Sequence, residues 1–258
     1  MNCRKSLAMI TFTPPWPSAS GASYRLTAHE IHIWQASLDA SPEEQERLYR
    51  LLDPDEQDRA RAFRLPRLQR QYIVAHGILR LLLARYLKND PEKLTFSYNQ
   101  YGKPALIPEN NPEHLQFNLS HSGERVLYAM ALHRQLGIDI EWIHRRVGEM
   151  EQIAARYFSH YENHSLLALP ESQKATGFFN CWTRKEAYIK ARGRGLSLPL
   201  HTFDVTLRPG EPAQVLATRD DPAQASRWVM QALTPDQDYI AALVAEGGAW
   251  KLECRQWS

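Results

Sequence analysis

The 258-residue sequence holds only three cysteines, Cys3, Cys181 and Cys254, an odd number with no Cys-x-x-Cys spacing. That argues against a disulfide framework or a cysteine-bound zinc site and suits a reducing cytoplasm. No stretch approaches the ~18 apolar residues of a membrane helix. Near the N-terminus, Arg4 and Lys5 precede only Leu7 to Ile10 before threonines and Pro14-Pro15-Trp16-Pro17, too short an apolar run for a secretion signal. Excess charge of either sign is missing too: 31 Lys plus Arg stand against 29 Asp plus Glu, a net of +2. No global field therefore favours nucleic acid or an anionic membrane as partner. No low-complexity tract or internal repeat is evident from the letters. What remains is an ordinary globular composition, long enough for one large domain or two small ones.

Residues 1 to about 25 are rich in Pro, Ser and Gly without periodicity and read as a mobile extension. From Glu30 to Gln35, Ile31 and Ile33 alternate with His32 and Trp34, a strand pattern. Ser41-Pro42-Glu43-Glu44 supplies an N-cap, a first-turn proline and early acids for a helix to about Leu52, and another helix spans Glu56 to Phe63. Pro66 opens a longer helix whose apolar stripe is Tyr72, Ala75, Leu79, Leu82, Leu83 and Tyr86, ending near Lys88-Asn89-Asp90-Pro91. Strands follow at Leu94 to Tyr98, Leu115 to Leu119 and Val126 to Leu132, then a polar link from His133 to Gln135 and a strand from Ile138 to Trp142. That link divides a first half, 26–134, from a second, 135–258. Beyond it the pattern predicts helices at Met150 to Phe158, Tyr161 to Leu169 and Gln173 to Ala191, and strands near Phe203 to Leu207, Gln214 to Ala217, Trp228 to Leu233, Tyr239 to Val244 and Trp250 to Cys254. Both halves mix helices with antiparallel strands, so the fold class is α+β.

The chemistry concentrates in two segments. In Phe179 to Lys190, helical spacing sets Trp182, Glu186 and Lys190 on one stripe. In Asp139-Ile140-Glu141, two carboxylates share one face of a strand. Three acids could thus converge on one hard cation, or remain solvent-facing strand acids and a helix acid in a salt bridge. Oxygen-only ligands suit Mg²⁺, with Mn²⁺ possible, and no His or Cys in the set favours zinc.

Four blocks in order, Tyr101-Gly102-Lys103-Pro104, Phe117-Asn118-Leu119-Ser120-His121-Ser122, Leu136-Gly137-Ile138-Asp139-Ile140-Glu141 and Trp182 to Lys190, resemble those of a 4'-phosphopantetheinyl transferase. The resemblance covers roughly residues 53 to 200 and is to the long, single-chain surfactin-synthetase-activating type rather than the short trimeric type. It implies two similar α+β halves with the active site in the cleft between them. It implies transfer of the phosphopantetheine arm of coenzyme A to a serine of apo carrier proteins, acyl or peptidyl, with release of 3',5'-ADP. Asp139, Glu141 and Glu186 would hold Mg²⁺. Glu186 would also be the general base, in competition with a metal-bound hydroxide. Lys190 would contact the pantetheine-side phosphate, or else form a plain i,i+4 pair with Glu186. The 3'-phosphate would be gripped by Arg59, Lys103 and His121, with Ser120 adding a hydroxyl. Lys103, between Gly102 and Pro104, equally suits a solvated turn, and His121 alone would more often be structural.

The resemblance also brings Lys185 near the ligand, whereas its helical position beside Glu186 equally suits a solvated lysine. Glu56 departs from the family at a position where some relatives place a phosphate-binding lysine, a loss that Arg61 could offset. Gly193 to Ser197 reads as a helix stop. One chain supplies both halves of the site, so a monomer is expected. The competing functions are a non-catalytic coenzyme A or carrier-binding module, against which the intact acid set argues, and a metal-dependent phosphohydrolase, which would not require Lys103 or the serine-histidine block.

Overall fold

The structure, a computed structural model, describes residues 16–18, 24–144 and 150–257. Most of the expected N-terminal extension lies outside the described residues. Its described parts are packed: Trp16 is buried, and Tyr24 stacks on Trp34 with ring centroids 5.3 Å apart.

Strand β1 (Glu30–Ser37) is followed by α1 (Pro42–Tyr49), α2 (Pro54–Ala62) and α3 (Pro66–Leu87), a ribbon of β2 (Phe96–Tyr98) and β3 (Pro104–Leu106), and then β4 (Leu115–Ser122) and β5 (Arg125–Leu132). The second half repeats that order. Strand β6 (Leu136–Trp142) leads into α4 (Met150–Tyr157), α5 (His160–Leu167) and α6 (Glu171–Arg192), a ribbon of β7 (Phe203–Val205) and β8 (Val215–Thr218), the short α7 (Gln224–Arg227), and then β9 (Trp228–Leu233) and β10 (Tyr239–Glu246). The sheets match as well. β5 lies between β1 and β4 in one, β10 lies between β6 and β9 in the other, and α3 and α6 each run 22 residues. The repeat hidden in the letters is plain in the topology, because elements repeat while side chains do not.

The halves are not divided cleanly at 134. The last strand, β11 (Lys251–Gln256), returns to the first sheet and pairs in parallel with β1, Glu30 opposite Lys251 through Gln35 opposite Gln256. The resulting sheet order is β11-β1-β5-β4.

Alternation along the strands builds four layers. On β1, Trp34 and Ala36 pack beneath α3 while Ile31 and Ile33 face the other sheet. On β10, Ala242 and Val244 pack against α6 while Ala241, Leu243 and Ala245 meet the first sheet's apolar face. With a neighbour on each face, β1 is buried almost throughout rather than alternately exposed. Local signals set the helix starts. Ser41 caps α1 with Pro42 in its first turn, and Asp53 and Glu56 form a reciprocal capping box that starts α2 two residues before the expected Glu56. Among the described residues, no helix is long and apolar enough to cross a membrane.

His32 is 1% exposed, its Nδ1 is 2.6 Å from the Tyr86 hydroxyl, and burial pushes its pKa from 6.5 down to about 4. The unfolded chain therefore takes up this proton first as pH falls, so the associated stability is present above about pH 6.5 and lost on the way to about 4. The expected loss is up to about 3 kcal/mol. Urea denaturation across that range should show it, and His32→Gln should flatten the slope. A wild-type stability unchanged between those values would refute the assignment.

Candidate active site

Between the two halves, the free edge of β4 faces the free edge of β6. Side chains at every second position of β4 join them in place of a backbone ladder. Asn118 Oδ1 accepts from Ile138 N (2.8 Å), and Ser122 Oγ accepts from Trp142 N (3.0 Å). Ser120 Oγ donates to Asp139 Oδ1 (2.8 Å), Ser122 Oγ donates to Glu141 Oε2 (2.8 Å), and Gln116 Oε1 accepts from Gln135 (3.0 Å). The strand period of two gives β4 one polar row for this seam and leaves Leu115, Phe117 and Leu119 to the core beneath α3.

A cavity of about 560 Å³ opens over the seam. The first half lines it with Arg59, Tyr72, His76, Tyr98, Ser120 and His121; the second lines it with Asp139, Glu141, Trp182, Glu186 and Lys190. The expected helical stripe and strand pair therefore do meet. Gly137, Asp139 and Glu141 share the face of β6 that α6 covers, and Gly137 lets the two elements close: a Cβ there would lie 2.2 Å from Ala187 O and 2.3 Å from Ala191 N. That approach brings Lys190 Nζ to 2.6 Å from Asp139 Oδ1 and 3.0 Å from Ser120 Oγ.

Asp139 is 5% exposed and Glu141 8%. Burial raises the Glu186 pKa to about 7, the Asp139 charge adds to the effect, Lys190 opposes it, and Glu141 raises it further. Asp139 Oδ2 is buried with no hydrogen-bond partner. Three clustered carboxylates, one with an orphaned oxygen, suit a hard cation with oxygen ligands. As arranged, they do not close on one point: among the described residues, no three Asp, Glu, His or Cys side chains form a set able to hold an ion. The Lys190 ammonium supplies the positive charge beside Asp139.

Other expected residues lie elsewhere. Lys185, expected near the ligand or in solvent, is in neither place: it is fully buried, 2.7 Å from Glu162 and donating to the carbonyls of Leu200 and Phe203. It follows from helical geometry, since a neighbour of Glu186 points about 100° away, into the second half's interior. Lys103 is half-buried, and its Nζ bonds Gln135 Oε1 (3.2 Å), Leu136 O (3.0 Å) and Ala191 O (3.4 Å), while burial lowers its pKa to about 8. It pins the turn whose Gly102 and Pro104 reach the cavity. Ser120 sits with the acids. Arg61 pairs with Asp58 and the Tyr49 hydroxyl and is not among the cavity residues, so it does not replace a lysine at position 56. Trp182 both packs against Phe178 and Tyr157 and lines the cavity. Gly193, at φ 62°, ends α6 as expected, and its carbonyl accepts from Asn99 Nδ2 at 2.7 Å. Tyr72, expected only in the apolar stripe of α3, and His76, for which no role was expected, both line the cavity. Their i,i+4 spacing, pointing back toward Glu56, was the available signal.

A family model described as "4'-phosphopantetheinyl transferase superfamily" matches residues 135–244, and one described as "4'-phosphopantetheinyl transferase, N-terminal" matches residues 34–133. The chain is 36% identical over 226 residues to 4'-phosphopantetheinyl transferase HetI of Nostoc sp., covering 88% of this chain and 92% of that protein. It is 35% identical over 167 residues to 4'-phosphopantetheinyl transferase Sfp of Bacillus subtilis, covering 65% of this chain and 71% of that one.

Gly137→Ala should force β6 and α6 apart and cost about 2–3 kcal/mol by overpacking. Thermal denaturation would measure it. A melting temperature equal to wild type would mean that the approach of α6 to β6 is not as close as described.

Proposed function

The chain belongs to the 4'-phosphopantetheinyl transferase family and is an enzyme that moves the phosphopantetheine arm of coenzyme A to a serine of carrier proteins; we propose that the cavity over the β4–β6 seam is where it does so. The carrying observation is the meeting there of Asp139, Glu141, Glu186 and Lys190 from the second half with Arg59, Ser120 and His121 from the first. In this reading, Arg59 and His121 take the 3'-phosphate, Lys103 holds the turn beside it, and Asp139, Glu141 and Glu186 would hold Mg²⁺ once drawn closer together than they stand here. That ion, when bound, would offset charge on the pyrophosphate.

The reaction attacks phosphorus. The carrier serine oxygen forms the new P–O bond, the bond to 3',5'-ADP breaks, and the serine proton must go to a base. Glu186, which lines the cavity and whose pKa burial and the neighbouring acids raise in the absence of an ion, is the base in this reading. Lys190, the cation beside Asp139, is the group suited to stabilising charge on the pantetheine-side phosphate. Ser120 and Ser122 orient Asp139 and Glu141 through their 2.8 Å hydrogen bonds. The reaction is assigned to the cytoplasm, in keeping with the free, buried Cys181 and Cys254.

Incubation with apo carrier protein, coenzyme A and Mg²⁺, followed by intact mass, tests the assignment. Wild type should add one arm per carrier. Asp139→Asn or Glu141→Gln should lower the rate roughly a hundredfold or more while keeping its circular-dichroism melting curve. Near-normal turnover of either variant in saturating Mg²⁺ would remove that acid from the site. Because one chain supplies all of these groups, the enzyme should work as a monomer. Its specific activity should hold on dilution through the nanomolar range, and a fall in step with dissociation in mass photometry would point to a shared site.

A further inference from the structure

Glu56, in place of a basic residue, does not leave the first-half end of the cavity short of positive charge. It is 1% exposed, with Oε2 2.6 Å from Arg80 Nε, and Arg80 is itself fully buried and 2.6 Å from Asp53. Burial works against the Glu56 charge, but the His76 hydrogen bond and Arg80 hold its pKa below the usual carboxylate range. Its Oε1 lies 3.2 Å from His76 Nδ1. A fixed carboxylate at that distance keeps a hydrogen on Nδ1 and sets the orientation of the ring. The other ring nitrogen, Nε2, has no partner among the described residues, and His76 lines the cavity.

One turn earlier on α3, the Tyr72 ring stacks on His76 with centroids 4.0 Å apart and planes 24° from parallel, which fixes the imidazole plane. The Tyr72 hydroxyl is buried without a hydrogen-bond partner, and burial pushes its pKa above the usual phenol range, so it remains a donor. His121, on the α3-facing row of β4, is near enough that the His76 charge lowers its pKa, after desolvation by the cavity walls and together with Lys190. Arg59, held over the Tyr98 ring at 4.5 Å, lines the same cavity. The acids that line it are Asp139, Glu141 and Glu186. Lys103, by contrast, has its ammonium engaged by three oxygens.

We propose that His76, braced by Glu56 and stacked on Tyr72, is a binding residue for the 3'-phosphate of coenzyme A, with the Tyr72 hydroxyl as a further donor. This rests on the reading that the cavity takes coenzyme A with its 3'-phosphate at the Arg59 and His121 end. A terminal phosphate has three acceptor oxygens, which Arg59, His76, His121 and Tyr72 can serve as donors. Glu56 then acts through His76, holding and aiming the ring, where a lysine would contact the phosphate itself.

Calorimetric titration with 3',5'-ADP and with 5'-AMP isolates the 3'-phosphate without requiring turnover. His76→Gln keeps an amide that can bond Glu56 but removes the ring and its second nitrogen, and it should weaken 3',5'-ADP about tenfold while 5'-AMP changes less than about twofold. Tyr72→Phe should give the same pattern at about threefold. In steady state, the kcat/KM ratio of coenzyme A to dephospho-coenzyme A should fall in parallel, through KM. If Arg59→Ala or His121→Ala discriminates the two ligands while the His76 and Tyr72 variants do not, His76 is not a phosphate ligand and the reading of the cavity stands. If none of the four variants discriminates, the 3'-phosphate lies elsewhere and both fail.

Discussion

The arrangement depends on how two sheet edges are closed against each other. A bare edge needs partners for its backbone groups, and two antiparallel sheets could have paired β4 and β6 directly into one continuous sheet. Here, polar side chains at alternate positions of β4 do that work instead, Asn118 and Ser122 accepting from the backbone of β6 and Ser120 and Ser122 donating to its carboxylates. The substitution widens the gap by a side-chain length, and the cavity lies over it. The seam is thus both the joint between the halves and the floor of the site.

Charge in the cavity is compensated in stages. Asp139 and Glu141 are buried side by side, a costly arrangement unless each is hydrogen-bonded and countered by positive charge. Serine hydroxyls and Lys190 meet part of that need, and the raised Glu186 pKa is what remains unmet. On the other side, the deficit has the opposite sign and is met by Glu56, itself answered by Arg80. The same β4 strand serves both: Ser120 on one face joins the acids, and His121 on the other joins α3.

Much of this was legible in the letters wherever a local period or cap determined it. The strands, the long helices opened by Pro66 and ended by Gly193, and the sharing of one strand face by Asp139 and Glu141 and of one helix stripe by Glu186 and Lys190 follow from spacing of two or of three to four residues. What depends on a distant neighbour was not legible. The ammonium of Lys185 is fixed by Glu162 and that of Lys103 by carbonyls of Leu136 and Ala191, partners about 20 to 90 positions away that no local pattern encodes. Glu56 is the instructive case. Its role is visible only once Arg80 and His76, on the facing helix, are beside it.

The return of β11 to β1 carries a consequence for synthesis. A chain made from its N-terminus presents β1, α1 to α3, β4 and β5 early, but the outer edge of β1 stays uncovered until Lys251 to Gln256 have left the ribosome. The first half can therefore collapse during translation, yet it cannot finish its sheet until the whole second half and β11 have been made. For that interval, a strand with strongly apolar faces shows an open backbone edge, the template on which nascent chains pair with one another. Yield on expression should accordingly be governed less by the packing within either half than by how quickly the six residues of β11 find β1.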